Sequence, residues 1–154
     1  MSTSTVLSVR PAALEDADRL LQWRNDPVTR GNSFRTEPIG VEEHRVWLRR
    51  TLEDPGTRMY IGMRGSTPCG VVRFESRSDG ASEANIALDP AFRGQGLAAS
   101  VLRLARTQYI ADGGKDRTTA RVKATNVASL RAFERAGYRR LRTAEGIVEL
   151  ETVD

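Results

Sequence analysis

The sequence predicts an α+β domain built on a mixed, mostly antiparallel sheet flanked by helices, and three observations lead to this prediction. The expected elements run in the order strand, two helices, three strands, helix, strand, helix and two strands, which differs from a regular βαβ alternation. Short turns separate the three central strands, as they do in antiparallel neighbours. The chain has 154 residues, which is enough for a sizeable core, so one domain is predicted over 1–154.

The first half of the chain is expected to hold one strand and two helices. Residues 5–10 alternate apolar and polar side chains, as a half-buried strand does, and Pro11 ends that strand. Apolar residues at helical spacing predict a helix over 14–24, which the sequence NDP ends. A second helix is predicted over 41–52, and the sequence TRGNSFRTEPIG between the helices is predicted to be a loop. The apolar stripe of the second helix is predicted to consist of Trp47, Leu48 and Leu52.

The second half supplies most of the predicted sheet. Strands are expected at 58–64, 69–77 and 83–89, followed by the glycine-containing sequence RGQGLAAS and a long helix to about Asp112. The apolar face of that helix is predicted to consist of Leu97, Val101, Leu104 and Ala105. A strand over 117–124, a helix with Asn126 as its N-cap and a closing hairpin from YRRLRT and GIVELE complete the prediction.

Composition excludes several classes of protein. The 39% hydrophobic and 29% charged residues are typical of a globular protein, and no apolar run approaches the length of a membrane-spanning helix. The first residues lack the pattern of a signal peptide, so a cytoplasmic protein without a membrane partner is expected. The single cysteine, Cys69, is expected in a buried strand, and with a single histidine no internal disulfide and no His/Cys metal site are expected.

The charge of the chain points to an anionic partner. The net charge is +4, and the arginines that produce it are scattered instead of forming a stripe. Only 6% of the residues are aromatic, whereas nucleic-acid surfaces combine dense basic stripes with stacking aromatics. A phosphorylated small molecule is therefore favoured over nucleic acid.

Residues 93–98, Arg-Gly-Gln-Gly-Leu-Ala, are predicted to bind phosphate at the start of the long helix. Amide groups at a helix start are unpaired and lie at the positive end of the helix dipole, and glycines let a phosphate approach them. A Walker A loop is excluded because Leu97 and Ala98 stand where Lys and Ser or Thr are required. A dinucleotide-binding fingerprint is disfavoured because only 55 residues follow Ala99, too few for the βαβ units of a Rossmann domain.

Two motifs resemble those of the GNAT superfamily of N-acetyltransferases. Residues 93–98 match the signature Arg/Gln-x-x-Gly-x-Gly/Ala, and a second signature is matched further along the chain. The residues of the second match are Asn126, Ser129, Phe133, Gly137 and Tyr138. The resemblance extends over nearly all of the chain and implies the acetyltransferase fold, with splayed central strands and acetyl-CoA as cosubstrate. The residues it implies for cosubstrate binding are Ile86, Ala87, Leu88, Arg93, Gly94, Gln95, Gly96, Leu97, Ala98, Asn126, Ser129 and Phe133.

The reaction needs a neutral amine, donors for the developing oxyanion and an acid for the leaving thiolate. Glu83, which shares a strand face with Asn85, is the first candidate for a base that works through water, and Glu75 is the second. His44 is an alternative base because its ordinary pKa is near 6.5. Phe133 stands where many members of the family have a tyrosine acid, so the acid is unassigned, with Ser129 and Tyr138 as substitutes.

The stretch before the glycine motif resembles one subgroup, the N-acetyltransferases of UDP-4-amino-sugars from pathways such as pseudaminic acid biosynthesis. The sequences that carry this resemblance are WRNDPVTRGNSF, EEHRVW and CGVVRFE. The acceptor-binding residues it suggests are Trp23, Arg24, Asn25, His44, Trp47, Arg73 and Glu75. Arg24 and Arg30 are expected near phosphates, and Trp23, Phe34 or Trp47 near a base or sugar ring.

Several alternatives stay open on sequence alone. Related stretches occur in enzymes that acetylate protein N-termini, and another small amine such as an aminoglycoside is an equally consistent acceptor. The absence of the tyrosine also allows a CoA-binding module without catalysis, and a small nucleic-acid binder is the remaining class. The sequence leaves open whether the protein is a monomer or a homodimer.

Overall fold

The computed structural model describes residues 6–152, and its elements follow the predicted order closely. The strands are β1 (Leu7–Pro11), β2 (Thr57–Arg64), β3 (Thr67–Ser76), β4 (Ser82–Leu88), β5 (Thr118–Lys123), β6 (Tyr138–Ala144) and β7 (Ile147–Thr152). The helices are α1 (Ala17–Asn25), α2 (Pro27–Asn32), α3 (Val41–Glu53), α4 (Leu97–Ala111) and α5 (Val127–Arg135). Short 3₁₀ turns occupy Leu14–Asp16 and Pro90–Phe92. Thr5, where the first strand was expected to begin, lies outside the described residues.

The strands described here form one sheet in the order β1-β2-β3-β4-β5-β7-β6. All neighbours are antiparallel except β4 and β5, so the predicted mixed, mostly antiparallel α+β fold is confirmed. The predicted closing hairpin is present, but its second strand lies between β5 and β6. None of the helices within residues 6–152 is long and apolar enough to cross a membrane.

The prediction of a loop between the first two predicted helices is wrong for the first part of that segment, because α2 begins immediately after α1. The Asp26 carboxylate accepts hydrogen bonds from the amides of Val28 and Thr29, and Pro27 stands at the first helical position. Asp at the N-cap followed by Pro is a favourable helix start. The same three residues that end α1 therefore also begin α2.

The predicted apolar faces of two helices are rotated in the structure. Trp47 in α3 is 38% exposed, whereas His44 and Leu48, four residues apart, are buried. In α4 the predicted Leu104 is 36% exposed. The buried residues of α4 are Ala99, Val101, Leu102, Ala105 and Tyr109.

The sheet separates two layers of side chains. On one face, α4 and α5 cover an apolar cluster in which the Phe74 ring stacks on Tyr109 with centroids 4.3 Å apart. On the other face, α1 and α3 cover a smaller apolar cluster that includes Leu20, Trp23 and Leu48. Strand residues therefore alternate between the two layers, and the second layer leaves room for polar groups towards β4 and β5.

Candidate functional site

The parallel strands β4 and β5 diverge soon after they begin. Across the described residues they pair only at Ser82 with Thr118 and at Glu83 with Thr119, although β4 continues to Leu88 and β5 to Lys123. The Ser82 amide donates to the Arg117 carbonyl on the β5 side. Because backbone groups alternate along a strand, those of Ala84, Ile86 and Leu88 point into the gap. We call this gap, between residues 84–88 and β5, the open slot.

The glycine loop, residues 93–98, lies at the end of the open slot and begins α4. Gly94 and Gly96 have φ angles of 74° and 72°, the left-handed region in which glycine is favoured. No protein atom of the described chain lies within 4 Å of the position that a Cβ would take at either residue. Gly96 is the N-cap of a 15-residue helix, so the first amides of α4 and the positive end of its dipole face the same open space. The geometry fits a diphosphate.

Two side chains of the loop turn towards neighbouring elements. The Arg93 Nη2 atom lies 2.6 Å from the Asp26 carboxylate and 2.9 Å from the Thr29 hydroxyl, so it fastens the loop to α2. Its guanidinium therefore binds protein, which leaves the backbone of Arg93 as the part of this residue that could bind a phosphate. Burial raises the pKa of Asp26, but hydrogen bonds from Arg93 and Thr29 outweigh it and lower that pKa overall. The Gln95 side chain accepts a hydrogen bond from Arg64 at 3.0 Å.

Sequence reasoning missed Arg64, which brings a guanidinium from the end of β2 to the glycine loop. The two residues that meet there are 31 positions apart in the chain. Arg64 pairs with Leu7 at the end of the antiparallel β1–β2 pair, so only the sheet order places it near the loop. No local pattern around Arg64 indicates this position.

The residues of the second signature form a helix cap at Asn126 and a buried aromatic pair, Phe133 and Tyr138. The Asn126 side chain accepts a hydrogen bond from the Ser129 amide, which confirms the predicted cap. Phe133 is 2% exposed and packs edge-to-face on Tyr138, with centroids 5.0 Å apart. The Tyr138 hydroxyl pairs with that of Thr118 at 2.5 Å, and burial raises its pKa. The structure thus places Phe133 in the core, and it buries the Tyr138 hydroxyl against Thr118.

The two candidate carboxylates are neighbours across β3 and β4. Glu75 pairs in register with Glu83, and both face the α1 and α3 side of the sheet. Glu83 accepts a hydrogen bond from Arg121 Nε at 2.7 Å, and Arg77 lies 3.9 Å away. Arg121 was not among the residues predicted from sequence, although strand alternation places it on the same face as Thr119, the partner of Glu83. Asn85, one alternate position beyond Glu83, is exposed.

Two of the predicted acceptor-binding residues have structural roles instead. Trp23 is 1% exposed, and its indole Nε1 donates to the Asp89 carboxylate at 2.8 Å, so it presents no ring face to a ligand. Asn25 holds both backbone groups of Ile39, donating to the carbonyl and accepting from the amide at 2.8 Å each. Both corrections have one cause: their polar atoms are occupied by protein partners that are distant in the sequence.

The remaining predicted acceptor residues meet between α1, α3 and β3. The Arg73 guanidinium lies over the Trp47 ring, 5.3 Å from its centroid, and the His44 ring contacts the same ring in a tilted arrangement, with centroids 5.5 Å apart. Burial, followed by the charge of Arg24, lowers the pKa of His44, so its imidazole is neutral near pH 7. Arg73 also lies 2.6 Å from the Glu75 carboxylate. We call Arg24, His44, Trp47 and Arg73 the acceptor cluster.

The arginine and the aromatic residue predicted beside this cluster have separate positions. Arg30 donates to the backbone carbonyls of Asn25 and Thr36. Phe34 is exposed, and the Arg121 guanidinium lies over its ring. Within residues 6–152, no group of three or more His, Cys, Asp or Glu side chains is arranged to hold a metal ion.

A family model described as an acetyltransferase (GNAT) domain matches residues 7–139. Among solved structures, the chain is similar to aminoglycoside acetyltransferase AAC(6')-Ib in complex with ribostamycin and coenzyme A, at 16% identity, covering 96% of this chain and 93% of that chain with a TM-score of 0.80. It is also similar to spermidine N-acetyltransferase from Vibrio cholerae in complex with CoA and spermine, at 15% identity, 94% coverage of both chains and a TM-score of 0.82.

A third similar structure is the ribosomal L7/L12 alpha-N-protein acetyltransferase RimL in complex with coenzyme A, at 19% identity, covering 99% of this chain and 96% of that chain with a TM-score of 0.80. No curated protein sequence matches the chain. The family match spans most of the chain, and it includes the strands of the open slot and the glycine loop. The chain therefore belongs to the GNAT family of acetyltransferases.

Proposed function

We propose that this protein transfers the acetyl group of acetyl-CoA to a primary amine of a small molecule. The observation that carries the proposal is the open slot ending at the glycine loop, which offers unpaired backbone groups along β4 and helix-start amides at its end. A pantetheine arm has two amides that suit the first, and a diphosphate suits the second. The structures similar to this chain include enzymes named for a polyamine, an aminoglycoside and a protein N-terminus, all of which present amines.

The chain's own residues suggest how the cosubstrate is held. Backbone groups of Ile86 and Leu88 bind along the arm, and the amides that follow Gly94 and Gly96 bind the diphosphate, with Arg64 close by. When bound, the cosubstrate supplies a thioester whose carbonyl carbon accepts the amine. The Ile86 amide, which points into the open slot, is placed to donate to the oxygen where negative charge develops.

The proton of the amine is assigned to a water held by Glu83. This carboxylate accepts a hydrogen bond from Arg121 Nε and lies on the same side of the sheet as Asn85, to which we assign the orientation of the amine. His44 is the alternative base because its lowered pKa favours the neutral imidazole, although this residue of the acceptor cluster is buried. No side chain within residues 6–152 is assigned as the acid for the thiolate.

A nucleotide amino sugar of the UDP-amino-sugar type is the proposed acceptor. Three basic side chains, Arg24, Arg30 and Lys123, have no carboxylate partner within the described residues and donate instead to the backbone carbonyls of the segment 25–36. Phosphates suit such basic side chains, and the exposed Phe34 and Trp47 rings are available for stacking. We further propose that residues 1–154 form one catalytic domain that works in the cytoplasm.

Gly96→Ala tests the cosubstrate site. The added methyl group meets no protein atom within the described chain but projects where the diphosphate is proposed, so we expect CoA affinity to fall by about tenfold or more. Gly113→Ala is the control, since Gly113 also has a positive φ and open space but lies at the other end of α4. Calorimetry with CoA measures both variants. Equal affinities, or no heat with the unmodified protein, would contradict the proposal.

Glu83→Gln tests the chemistry. Release of thiol from acetyl-CoA in the presence of candidate amines should continue with a kcat lowered by about 10²-fold and a nearly unchanged KM for the amine, because the water would lose its base. Glu134→Gln, an exposed carboxylate on α5 paired with Arg140, is the control. Unchanged kcat across pH 6–9 in Glu83→Gln would reject Glu83. Binding of CoA without thiol release for any amine would indicate a non-catalytic CoA-binding module.

A further inference from the structure

Three buried nitrogen atoms of the acceptor cluster lack hydrogen bonds. Counted over residues 6–152, Arg24 Nη1, His44 Nδ1 and Arg73 Nε have no hydrogen-bond partner. Arg73 Nε lies 2.6 Å from the Glu75 carboxylate, but the contact does not have hydrogen-bond geometry. Buried polar groups in folded proteins are almost always hydrogen-bonded, and an unsatisfied one destabilises the fold. Three such atoms in one place indicate that a ligand completes them.

These atoms converge although they come from three elements. Arg24 is the next-to-last residue of α1, His44 lies in the first turn of α3, and Arg73 lies in the middle of β3. Both His44 and Arg73 contact the Trp47 ring. The charge of Arg24 lowers the pKa of His44, and the charge of Arg73 in turn acts on Arg24. His44 and Arg73 therefore share the Trp47 ring, and Arg24 lies near enough for its charge to act on His44, so the volume among the three side chains carries several positive charges.

The charge of this volume determines what it can bind. Burial, together with the positive charges of Arg35, Arg73 and Arg30, lowers the pKa of Arg24. Within the described part of the chain Arg24 has no carboxylate partner, and its Nη2 donates to the Arg35 carbonyl at 2.8 Å. A buried charge without a counter-ion is costly, and a guanidinium matches carboxylate or phosphate oxygens in a two-pronged geometry. The missing counter-ion is therefore an oxyanion.

The position of the volume connects it to the reaction. Arg73 pairs in register with Asn85 on β4, so the two side chains lie on one face, one strand spacing apart. Asn85 lies between Ala84 and Ile86, whose backbone groups point into the open slot. An anion bound at Arg73 is thus on the face of β3 next to Asn85 on β4, the strand that borders the open slot, which suits a group of the molecule that presents the amine.

We infer that Arg24 and Arg73, with His44 as a neutral hydrogen-bonding partner, bind an anionic group of the acceptor. The acceptor is then an amine that also carries a phosphate or a carboxylate, and polycations such as spermidine are poor acceptors because the positive charges of Arg24 and Arg73 repel them. This inference rests on the proposed function, since it names a substrate class for the same site. Anion binding can be measured without acetyl transfer, so the inference and the proposed function can be tested separately.

Binding of inorganic phosphate and of succinate, measured by thermal shift at saturating CoA, tests this inference. Saturating CoA occupies the glycine loop, and its own shift reports on the proposed function. We expect at least one anion to raise the melting temperature in a saturable way. Tighter binding of phosphate would indicate a phosphorylated acceptor, and tighter binding of succinate would indicate a carboxylated one. Arg24→Gln should weaken that anion about tenfold or more and leave the CoA shift unchanged. Arg19→Gln, an exposed arginine earlier in α1, should change neither.

Glucosamine 6-phosphate, glucosamine and spermidine, compared as acceptors, provide the second measurement. Glucosamine 6-phosphate and glucosamine differ only in the phosphate. We expect kcat/KM to be about tenfold or more higher for glucosamine 6-phosphate than for glucosamine, and lowest for spermidine. Arg73→Gln, a second variant for the case that Arg24→Gln does not fold, should remove the preference. Absence of any anion shift with the unmodified protein, equal effects of Arg24→Gln and Arg19→Gln, or a preference for spermidine would each overturn the inference while leaving CoA binding intact.

Discussion

Arg73 and Phe74 are neighbours in β3, yet their side chains lie on opposite faces of the sheet in opposite surroundings. Phe74 is fully buried, stacks on Tyr109 and packs edge-on against Tyr60. Arg73 is half-buried among charged groups and retains an unpartnered Nε within the described chain. The comparison shows that one strand contributes to stability on one face and to ligand binding on the other.

The polar groups of the two faces differ in the same way. On the α4 and α5 face, buried hydroxyls pair with each other, Ser82 with Tyr109 and Thr118 with Tyr138, each at 2.5 Å. On the α1 and α3 face, the buried nitrogens of the acceptor cluster lack partners among residues 6–152. Satisfied groups stabilise a fold, whereas unsatisfied ones are retained where a ligand completes them. We therefore expect substitutions on the two faces to affect different measurements.

The largest expected effect is that of Phe74→Ala. Removing a fully buried ring that contacts two tyrosines leaves a cavity, and we expect the free energy of unfolding to fall by about 3–5 kcal/mol. Urea denaturation measures it. Arg73→Gln, one residue away on the other face, should change stability by less than about 1 kcal/mol because a partly exposed ion pair contributes little. Similar losses in the two variants would remove the distinction between the faces.

A smaller effect is expected from Gly70→Ala, which adds volume where β3 approaches β4. A Cβ at Gly70 would lie 2.8 Å from the Ala87 carbonyl oxygen, a backbone atom that cannot move without displacing β4. We expect a loss of about 1–3 kcal/mol in denaturation together with weaker CoA binding, because β4 forms one edge of the open slot. The control is Gly31→Ala in α2, where a Cβ meets nothing, and it should be neutral or stabilising. An unchanged free energy of unfolding in Gly70→Ala would show that β3 and β4 can move apart enough to accept a Cβ, and would contradict this prediction.

The smallest expected effect concerns pH and His44. Since its folded pKa is below its ordinary value of 6.5, the unfolded state binds the proton more readily, and stability falls as pH drops below about 6.5. Denaturation at several pH values between 5 and 8 should show this slope in the unmodified protein and a flatter one in His44→Gln. The arginine-paired carboxylates, such as Asp16, also have lowered pKa values and lose stability only at more acidic pH. Equal slopes between pH 5 and 6.5 would contradict a buried, neutral His44.

Much of the fold and part of the site were predictable from local patterns. The order of strands and helices, the cap at Asn126 and the glycine loop all depend on a few consecutive residues, and the structure agrees with those predictions. The rotation of α3 was not predictable, because Trp47 and His44 lie on adjacent stripes of one turn and only packing decides which is buried. The prediction that Trp23 binds the acceptor was wrong for a related reason, because its hydrogen-bond partner Asp89 is 66 positions away in the chain.

The sequence by itself determined the glycine loop, because the backbone freedom of Gly94 and Gly96 and the helix start belong to consecutive residues. Only the tertiary structure decided the acceptor cluster, the Arg121–Glu83 pair and the place of Arg64, which bring together residues from different helices and strands. Backbone preferences act over a few residues, whereas strand order and register are set by packing over the whole chain. For that reason the cosubstrate loop could be identified from consecutive residues, whereas the sequence named Arg24, His44, Trp47 and Arg73 as acceptor residues without placing them beside one another.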